Sequence, residues 1–404
     1  MRAALAAIGV GLLAAGAAMV LLGLGRRADR EAEFLATCRA ASAAGDWERL
    51  ERSARAWTAA RPDSTSAWLS LAEAAVGRHR PADAAAALDR VADDDPRATA
   101  ALLARVDLLF TDVGRPFAAV DTCERIIRID PRRHEPHQRL AFFYVVTLQR
   151  SRLAEEARRT IAAGCDAPET FVYLVGSQWL TLSNTEAVNE SWLRHDPDNE
   201  LFLVAAACGV PDVVIEPEPP DAGADPDAAR PQPGPATARL ARIAALCERF
   251  PRNRELLAIF LQQASTRGDL DELVRLLARA PADAAGDCRF WRFKAWAHAA
   301  RGELAEAEES LLRALAIDPF DQASRHELAG VLRKTGRAEA GAKMAEVAEK
   351  GRTLRREILQ QPEIRTIPKS VLADVATYAA ACGEHDIAER LRRAIELAKA
   401  GAPR

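Results

Sequence analysis

The stretch CRFWRFKAWAHAARGELAEAEESLLRALAIDPFD, residues 288–321, decides the fold. A large apolar residue stands at its fourth position (Trp291) and a small one at its eighth (Ala295). Gly302 stands at the fifteenth and Ala307 at the twentieth; Leu311 and Ala314 follow, and Pro319 closes at the thirty-second. Apolar residues recurring every three or four positions on both sides of a glycine describe two amphipathic helices joined by a tight turn. Glycine reaches the positive φ that such a turn needs without a Cβ penalty. Asp318-Pro319 stops the second helix, because proline has no N–H to donate and disfavours helical geometry in the residue before it.

The same beat runs along the chain. Pro62 and Pro96 are 34 residues apart, Pro96 and Pro131 are 35 apart, and Pro251 and Pro319 are 68 apart, two periods of 34. The unit from Thr65 repeats the pattern with Trp68, Leu71, Ala72, Ala84, Leu88 and Pro96. Gly45, Gly114, Gly268, Gly302, Gly336 and Gly383 all fall at the turn position of their own units. Asp-Pro pairs recur at Asp95-Pro96, Asp130-Pro131 and Asp196-Pro197. Units open near Glu31 and at Thr65, Ala100, His134, Arg254, Cys288 and Gln322, with a last pair from Lys369 to Ala400; the one ending at Pro197 is degenerate. A composition rich in alanine and leucine, with 5% aromatic residues, agrees with an all-helical chain.

Spacing, residue size and turn chemistry together resemble the tetratricopeptide repeat family over nearly everything after residue 30. The resemblance implies an all-α fold: a right-handed α-solenoid superhelix of about ten helix pairs, in which each pair buries its apolar face only against the next. It also implies a protein that binds other proteins or peptides in a concave groove lined by the first helix of each pair. At the groove positions, Arg289, Arg292 and Trp296 of one unit and His326 and Arg333 of the next form a basic patch with one aromatic. Such a patch suits an acidic or carboxylate-ended segment. The alternative is scattered solvated arginines and a tryptophan at the core edge. Nearer the N-terminus the groove positions are apolar: Leu69, Ala104, Leu108, Phe142 and Val145. The lysine and asparagine of the chaperone-clamp variant are absent, since Leu35 and Arg39, then Leu69 and Glu73, hold those places.

Ala3 to Leu24 carries no charge and no proline and is followed by Arg26-Arg27. Twenty-two helical residues reach roughly 33 Å, enough to cross a bilayer core. The expectation is a transmembrane anchor over 1–25, with a cleaved signal peptide as the rival. Small residues at Ala3, Ala7, Gly11 and Ala15 would let two such helices pair. The expected place is a bacterial inner membrane, read from composition, with the repeats leaning to the cytoplasmic side because of Arg26, Arg27 and Arg30.

Residues 210–235 break the rhythm with a run of prolines and acids that cannot bury itself. With 236–250 as the second helix of a unit and 198–209 as its first, this run reads as an insertion in one turn; a linker between two arrays is the alternative. The expected organisation is thus an N-terminal array over 31–209, a C-terminal array over 236–353, and a connecting segment with a terminal helix pair over 354–404.

Chemistry-bearing motifs are missing. The seven cysteines form no CxxC pair and read as small core residues, Cys38 and Cys123 among them. His134-Glu135-Pro136-His137 has ligand spacing but sits at a helix start, where exposed polar residues are ordinary. No phosphate loop, nucleophile elbow or carboxylate pair is present. The expectation is therefore no enzyme, no metal and no cofactor, and with a net charge of -3, no nucleic acid partner. The alternative functions are a substrate-capturing subunit of an enzyme complex and a structural spacer.

Overall fold

The computed structural model describes residues 29–165, 167–209, 235–361 and 363–399. The described residues form twenty α-helices and no strand. The chain divides into two compact units after Pro131. The first holds α1 (29–43), α2 (Trp47–Ala60), α3 (Thr65–Gly77), α4 (Pro81–Asp89), α5 (Ala98–Phe110) and α6 (Pro116–Ile129). The second holds α7 (His134–Val146), α8 (Arg150–Ala163), α9 (Pro168–Gly176), α10 (Thr185–Leu193), α11 (Glu200–Cys208), α12 (Pro235–Arg249) and α13 (Arg254–Arg267). It continues with α14 (Leu270–Ala278), α15 (Cys288–Ala300), α16 (Leu304–Ile317), α17 (Gln322–Lys334), α18 (Ala338–Leu359), α19 (Lys369–Ala381) and α20 (His385–Lys399).

The period is visible in the helix starts: α13, α15 and α17 open at Arg254, Cys288 and Gln322, 34 residues apart. The turn glycines Gly45, Gly114, Gly268, Gly302, Gly336 and Gly383 have φ between 63° and 90°. Two turns without glycine reach the same region through His79 and Leu148, each at φ 55°. Trp68 Nε1 donates to the Pro62 carbonyl at 2.8 Å, and Trp291 Nε1 to the Ala285 carbonyl at 2.9 Å. The fourth-position tryptophan thus ties the start of its helix to the loop before it. Side-chain caps begin other helices, as where Asn253 accepts from Glu255 N and Leu256 N.

Packing runs from pair to pair. In the first unit Cys38, Leu50, Ala54, Trp57 and Ala67 form one cluster, with Phe34 stacked on Trp57 at 6.0 Å. In the second, Ala295, Ala307 and Leu311 of the quoted stretch pack with Leu328, Val331 and Leu332 of α17. Val204 and Ala207 of α11 pack with Ile243, Leu246 and Cys247 of α12, so the helices on either side of the 210–234 run meet. The irregular α9–α10 region is held differently: Trp192 lies 5.8 Å from Phe143 and 5.3 Å from Phe202, all three fully buried. The end of the second unit also returns to its beginning. Both α19 and α20 pack on α9, Arg158 of α8 pairs with Glu384 at 3.3 Å, and Arg390 donates to the Ile161 carbonyl.

Among the described residues no helix is long and apolar enough to cross a membrane. The longest, α18 at 22 residues, carries Lys343, Glu346, Lys350, Arg352, Arg355, Arg356 and Glu357, whose desolvation in hydrocarbon would be prohibitive. The expectation of a single-pass membrane protein is corrected on that finding, and dimerisation through such a span falls with it. Residues 3–24, on which that expectation stood, lie outside the described residues.

Turn geometry and a buried acid each yield an expected outcome. Gly302 has φ 82° and open space where a Cβ would point, so Gly302→Ala meets only backbone strain. It is expected to cost about 1 kcal/mol. His79→Gly, at a turn already in that region, is expected to cost nothing. Urea unfolding of both variants checks this, and equal losses would show that φ does not govern these turns.

Asp318, at the end of α16, is 7% exposed and accepts from Phe320 N at 2.9 Å. Burial and the nearby Asp321 carboxylate push its pKa up to about 7, with Arg158 and Arg325 opposing. Its folded pKa lies above the ordinary unfolded value of about 3.9. Its contribution is therefore full below that value and is lost as pH rises to about 7. Asp318→Asn keeps the acceptor and removes the charge. Its unfolding midpoint should exceed that of the unsubstituted chain at pH 8, with the gain shrinking towards pH 4. Parallel pH dependences of the two midpoints would count against a buried ionised Asp318.

Candidate functional site

The five residues of the expected basic patch lie on α15 and α17, each engaged with its own neighbours. Arg289 is 9% exposed. Its guanidinium bonds Glu255 at 2.5 and 2.9 Å and Asp287 at 2.7 and 3.0 Å, and Arg150 of α8 reaches the same Glu255 at 3.1 Å. Burial opposes ionisation of Glu255, but Arg150 and Arg289 outweigh it and hold its carboxyl below the usual range. The group is a buried charge network joining α8, α13 and α15. Arg292 lies 3.5 Å from Asp321 and 3.7 Å from Glu327, with its guanidinium 5.2 Å from the Phe293 ring centre. Burial pushes the Glu327 carboxyl up to about 7 despite that arginine. Trp296 is half-buried against the cluster of Leu257, Leu261 and Phe293. His326 is exposed, with Nδ1 3.4 Å from an Arg352 nitrogen. Arg333 is exposed, with its stem beside Gly341 of α18.

His137 departs from the expected exposed helix start. It is 2% exposed, and its Nδ1 lies 2.5 Å from Glu156 Oε1, inside the α7–α8 pair. Glu156 stands in α8 among Glu155, Arg158 and Arg159, so nothing in the sequence singles it out as this partner. Among the described residues no two cysteines form a disulfide, and Cys38, Cys123, Cys247 and Cys288 are buried. Burial pushes the Cys208 thiol up to about 12, which leaves no thiolate at neutral pH.

The first unit carries a cleft between α3 and α5, floored by α4, of about 400 Å3. Leu69, Ala72, Val76, Leu88, Ala104 and Leu108 make it apolar. Leu69, Ala104 and Leu108 are three of the groove positions read from the repeat register, so the first helices of successive pairs do line one concavity. Val76 stands 52% exposed at its edge. Glu73, Asp107 and Asp112 complete the lining with Thr111, and no lysine or arginine is among the lining residues. Phe142 and Val145, the other apolar groove positions, belong to the second unit, where Val145 is buried.

Arginines hold the helices that form this cleft. Arg105 of α5 donates to the Ala85 carbonyl of α4 at 3.2 Å, and Arg125 of α6 to the Val91 carbonyl at 2.7 Å. Arg55, Arg78 and Arg80 converge on the Glu51 side chain of α2; Arg80 and Arg55 hold its carboxyl down at about 2, against burial. These bonds go to backbone and acids of the first unit, outside the cleft lining.

No known family model matches the sequence, and no curated protein matches it. Solved structures resemble it at low identity. The C-terminal part of a TPR repeat-containing protein from Cytophaga hutchinsonii is 10% identical, over 72% of this chain and 97% of that one, with a TM-score of 0.28. The Cut9 assembly with Hcn1 is 10% identical over 92% and 80%, with a TM-score of 0.30. The human IFIT1 dimer with PPP-AAAA is 13% identical over 87% and 86%, with a TM-score of 0.33. These are repeat-scale likenesses only, and the all-helical repeat architecture stated above rests on this chain's own helices and turns.

Proposed function

We propose that this chain is a tetratricopeptide-type scaffold that docks a segment of another protein in the cleft of its first unit. The observation that carries this reading is the cleft itself. Three of its apolar residues, Leu69, Ala104 and Leu108, lie at positions that the repeat register assigns to a groove, its volume of about 400 Å3 falls within the ligand-sized range of about 300–1,000 Å3, and Val76 is left exposed at its edge. The alternative surface on α15 and α17 offers less. Arg289 and Arg292 already have carboxylate partners within the fold, so a ligand there would have to displace them. A binding rather than a catalytic role is supported by thiols raised through burial and by a His137–Glu156 pair enclosed between helices.

Peptides selected by display on the full chain test this reading. Leu108→Asp places a charge on the cleft floor and is expected to weaken the selected peptides by roughly 2 kcal/mol without changing helix content. Arg289→Ala should do the reverse. It leaves Glu255 and Asp287 without their main partner, so the unfolding midpoint falls while peptide affinity is kept. Fluorescence anisotropy and circular dichroism on both variants supply the readout. Peptide binding that survives Leu108→Asp but is lost in Arg289→Ala would move the docking surface to the second unit.

A further inference from the structure

We propose that the closure of the second unit is a pH-sensitive latch: a proton on Asp318 keeps the terminal pair α19–α20 seated, and loss of that proton lets the pair lift. This device stands apart from the docking reading and does not depend on it. Its first support is the geometry of the joint. Asp318, Pro319 and Phe320 lie in the turn between α16 and α17, and α19 is fastened to that turn. The Tyr378 hydroxyl of α19 donates to the Phe320 carbonyl at 2.9 Å, and the two ring centres lie 6.2 Å apart. Arg325 of α17 bridges the same parts. It donates to the Pro319 carbonyl at 2.6 Å and to the Cys382 carbonyl, just past the end of α19, at 3.4 Å. The Asp318 carboxyl lies beside this joint, 7% exposed, and accepts from Phe320 N within its own turn.

The second support is the set of groups that face this carboxyl. From α17, Asp321 adds a like charge while it caps the helix, accepting from Ala323 N and Ser324 N. The opposing guanidiniums are directed elsewhere. Arg158 of α8 pairs with Glu384 at 3.3 Å, Arg325 bonds backbone carbonyls, and Arg292 of α15 lies near Asp321 and Glu327. Tyr378 and Cys382 face it from the α19 side and Cys288 from α15. Burial raises all three, so they keep their protons near neutral pH. A carboxyl so enclosed is favoured neutral and disfavoured ionised, which is why burial and Asp321 push it up to about 7. Glu327 is raised to about 7 as well, but it stands against Arg292, on the α15 side of α17.

With α19–α20 lifted, water reaches the carboxyl and its pKa returns towards the ordinary value of about 3.9. The seated form therefore holds the proton more tightly than the lifted form. Its advantage is full below that ordinary value, declines as pH rises and is exhausted above about 7. Lifting also releases Glu384 from Arg158, the Ile161 carbonyl from Arg390, and α9 from both helices. A charge change at one turn is thus converted into opening of the whole closure.

Hydrogen exchange on the full chain, read as protection factors, tests the latch. Protection of α20 should fall at least about tenfold between about pH 5 and about pH 7 and level off above that, while α15 and α16 change less. Asp318→Asn keeps the acceptor for Phe320 N and should hold α20 protection constant over the same range. Arg158→Gln removes an opposing charge and should move the levelling point to higher pH. Glu327→Gln should leave the α20 profile as it is. A flat profile in the unsubstituted chain overturns the proposal. A profile that survives Asp318→Asn overturns it too, since the titrating group is then another, such as His385, exposed at the start of α20. Equal loss of protection in α15, α16 and α20 reports global stability alone and has the same force. So do a levelling point that Arg158→Gln leaves in place and an α20 profile abolished by Glu327→Gln.

Discussion

No helix pair in this chain can hide its apolar surface alone, and everything else in the architecture follows from that constraint. Two amphipathic helices joined by a short turn cover each other on one side and leave a second apolar side open. Leu311, 1% exposed, faces its own partner α15 through Ala295 and the next pair through Leu328. Burying a side chain of that size contributes about 1.5–3 kcal/mol, so each interface between pairs outweighs any single turn or cap. The alanines do as much as the leucines. Ala307 and Ala314 are wholly buried, and a larger side chain at either place would push the two helices apart. Stacking is thus the source of the core, and the fixed beat of the sequence is its trace.

That beat made the helices legible. Thr65, His134, Arg254, Cys288, Gln322 and Lys369 open helices where the repeat pattern opens its units, because turn residues and proline stops act locally. What stayed hidden is non-local. The contact of α19 and α20 with α9 spans more than 190 residues of chain (176 to 369) and leaves no periodic mark. The stretch around α9 and α10 fails the pattern because its core is three aromatics, Phe143, Trp192 and Phe202, rather than a small-residue crossing. Side-chain engagement was hidden for the same reason. The register places Arg289 on a first helix but cannot tell that Glu255, 34 residues earlier, stands at the equivalent place in the preceding unit with the opposite charge. A repeat-wise comparison of charge at each position would have found that pair. Nothing comparable marks the His137–Glu156 contact.

The groove positions divide accordingly. Leu69, Ala104 and Leu108 share one cleft, and all three are apolar and modest in size. Arg289 and Arg292 sit at the same register but carry long side chains with acids on the adjacent pair, and they turn to those acids. The same backbone position therefore yields an open concavity in one unit and an internal ion-pair network in the other. The difference lies in side-chain reach and charge, not in helix geometry.

The returning contact in the second unit makes this division mechanical as well as chemical. A stack of pairs joined only to its neighbours can widen its groove at little cost, since each interface gives slightly. A stack whose last pair also touches an early one cannot widen without breaking that contact. Here widening would separate Arg158 from Glu384, remove the Arg390 guanidinium from the Ile161 carbonyl and lift α19 and α20 from α9. Exposed ion pairs of this kind are worth only about 0–1 kcal/mol each, so the apolar contact of the helices is the larger part of the restraint. The Glu255 network adds to it from within, because Arg150 of α8 and Arg289 of α15 share one carboxylate and hold two distant helices together. Charge that sequence alone would assign to ligand binding is in this unit committed to holding its own helices, and the concavity with apolar lining is the α3–α5 cleft.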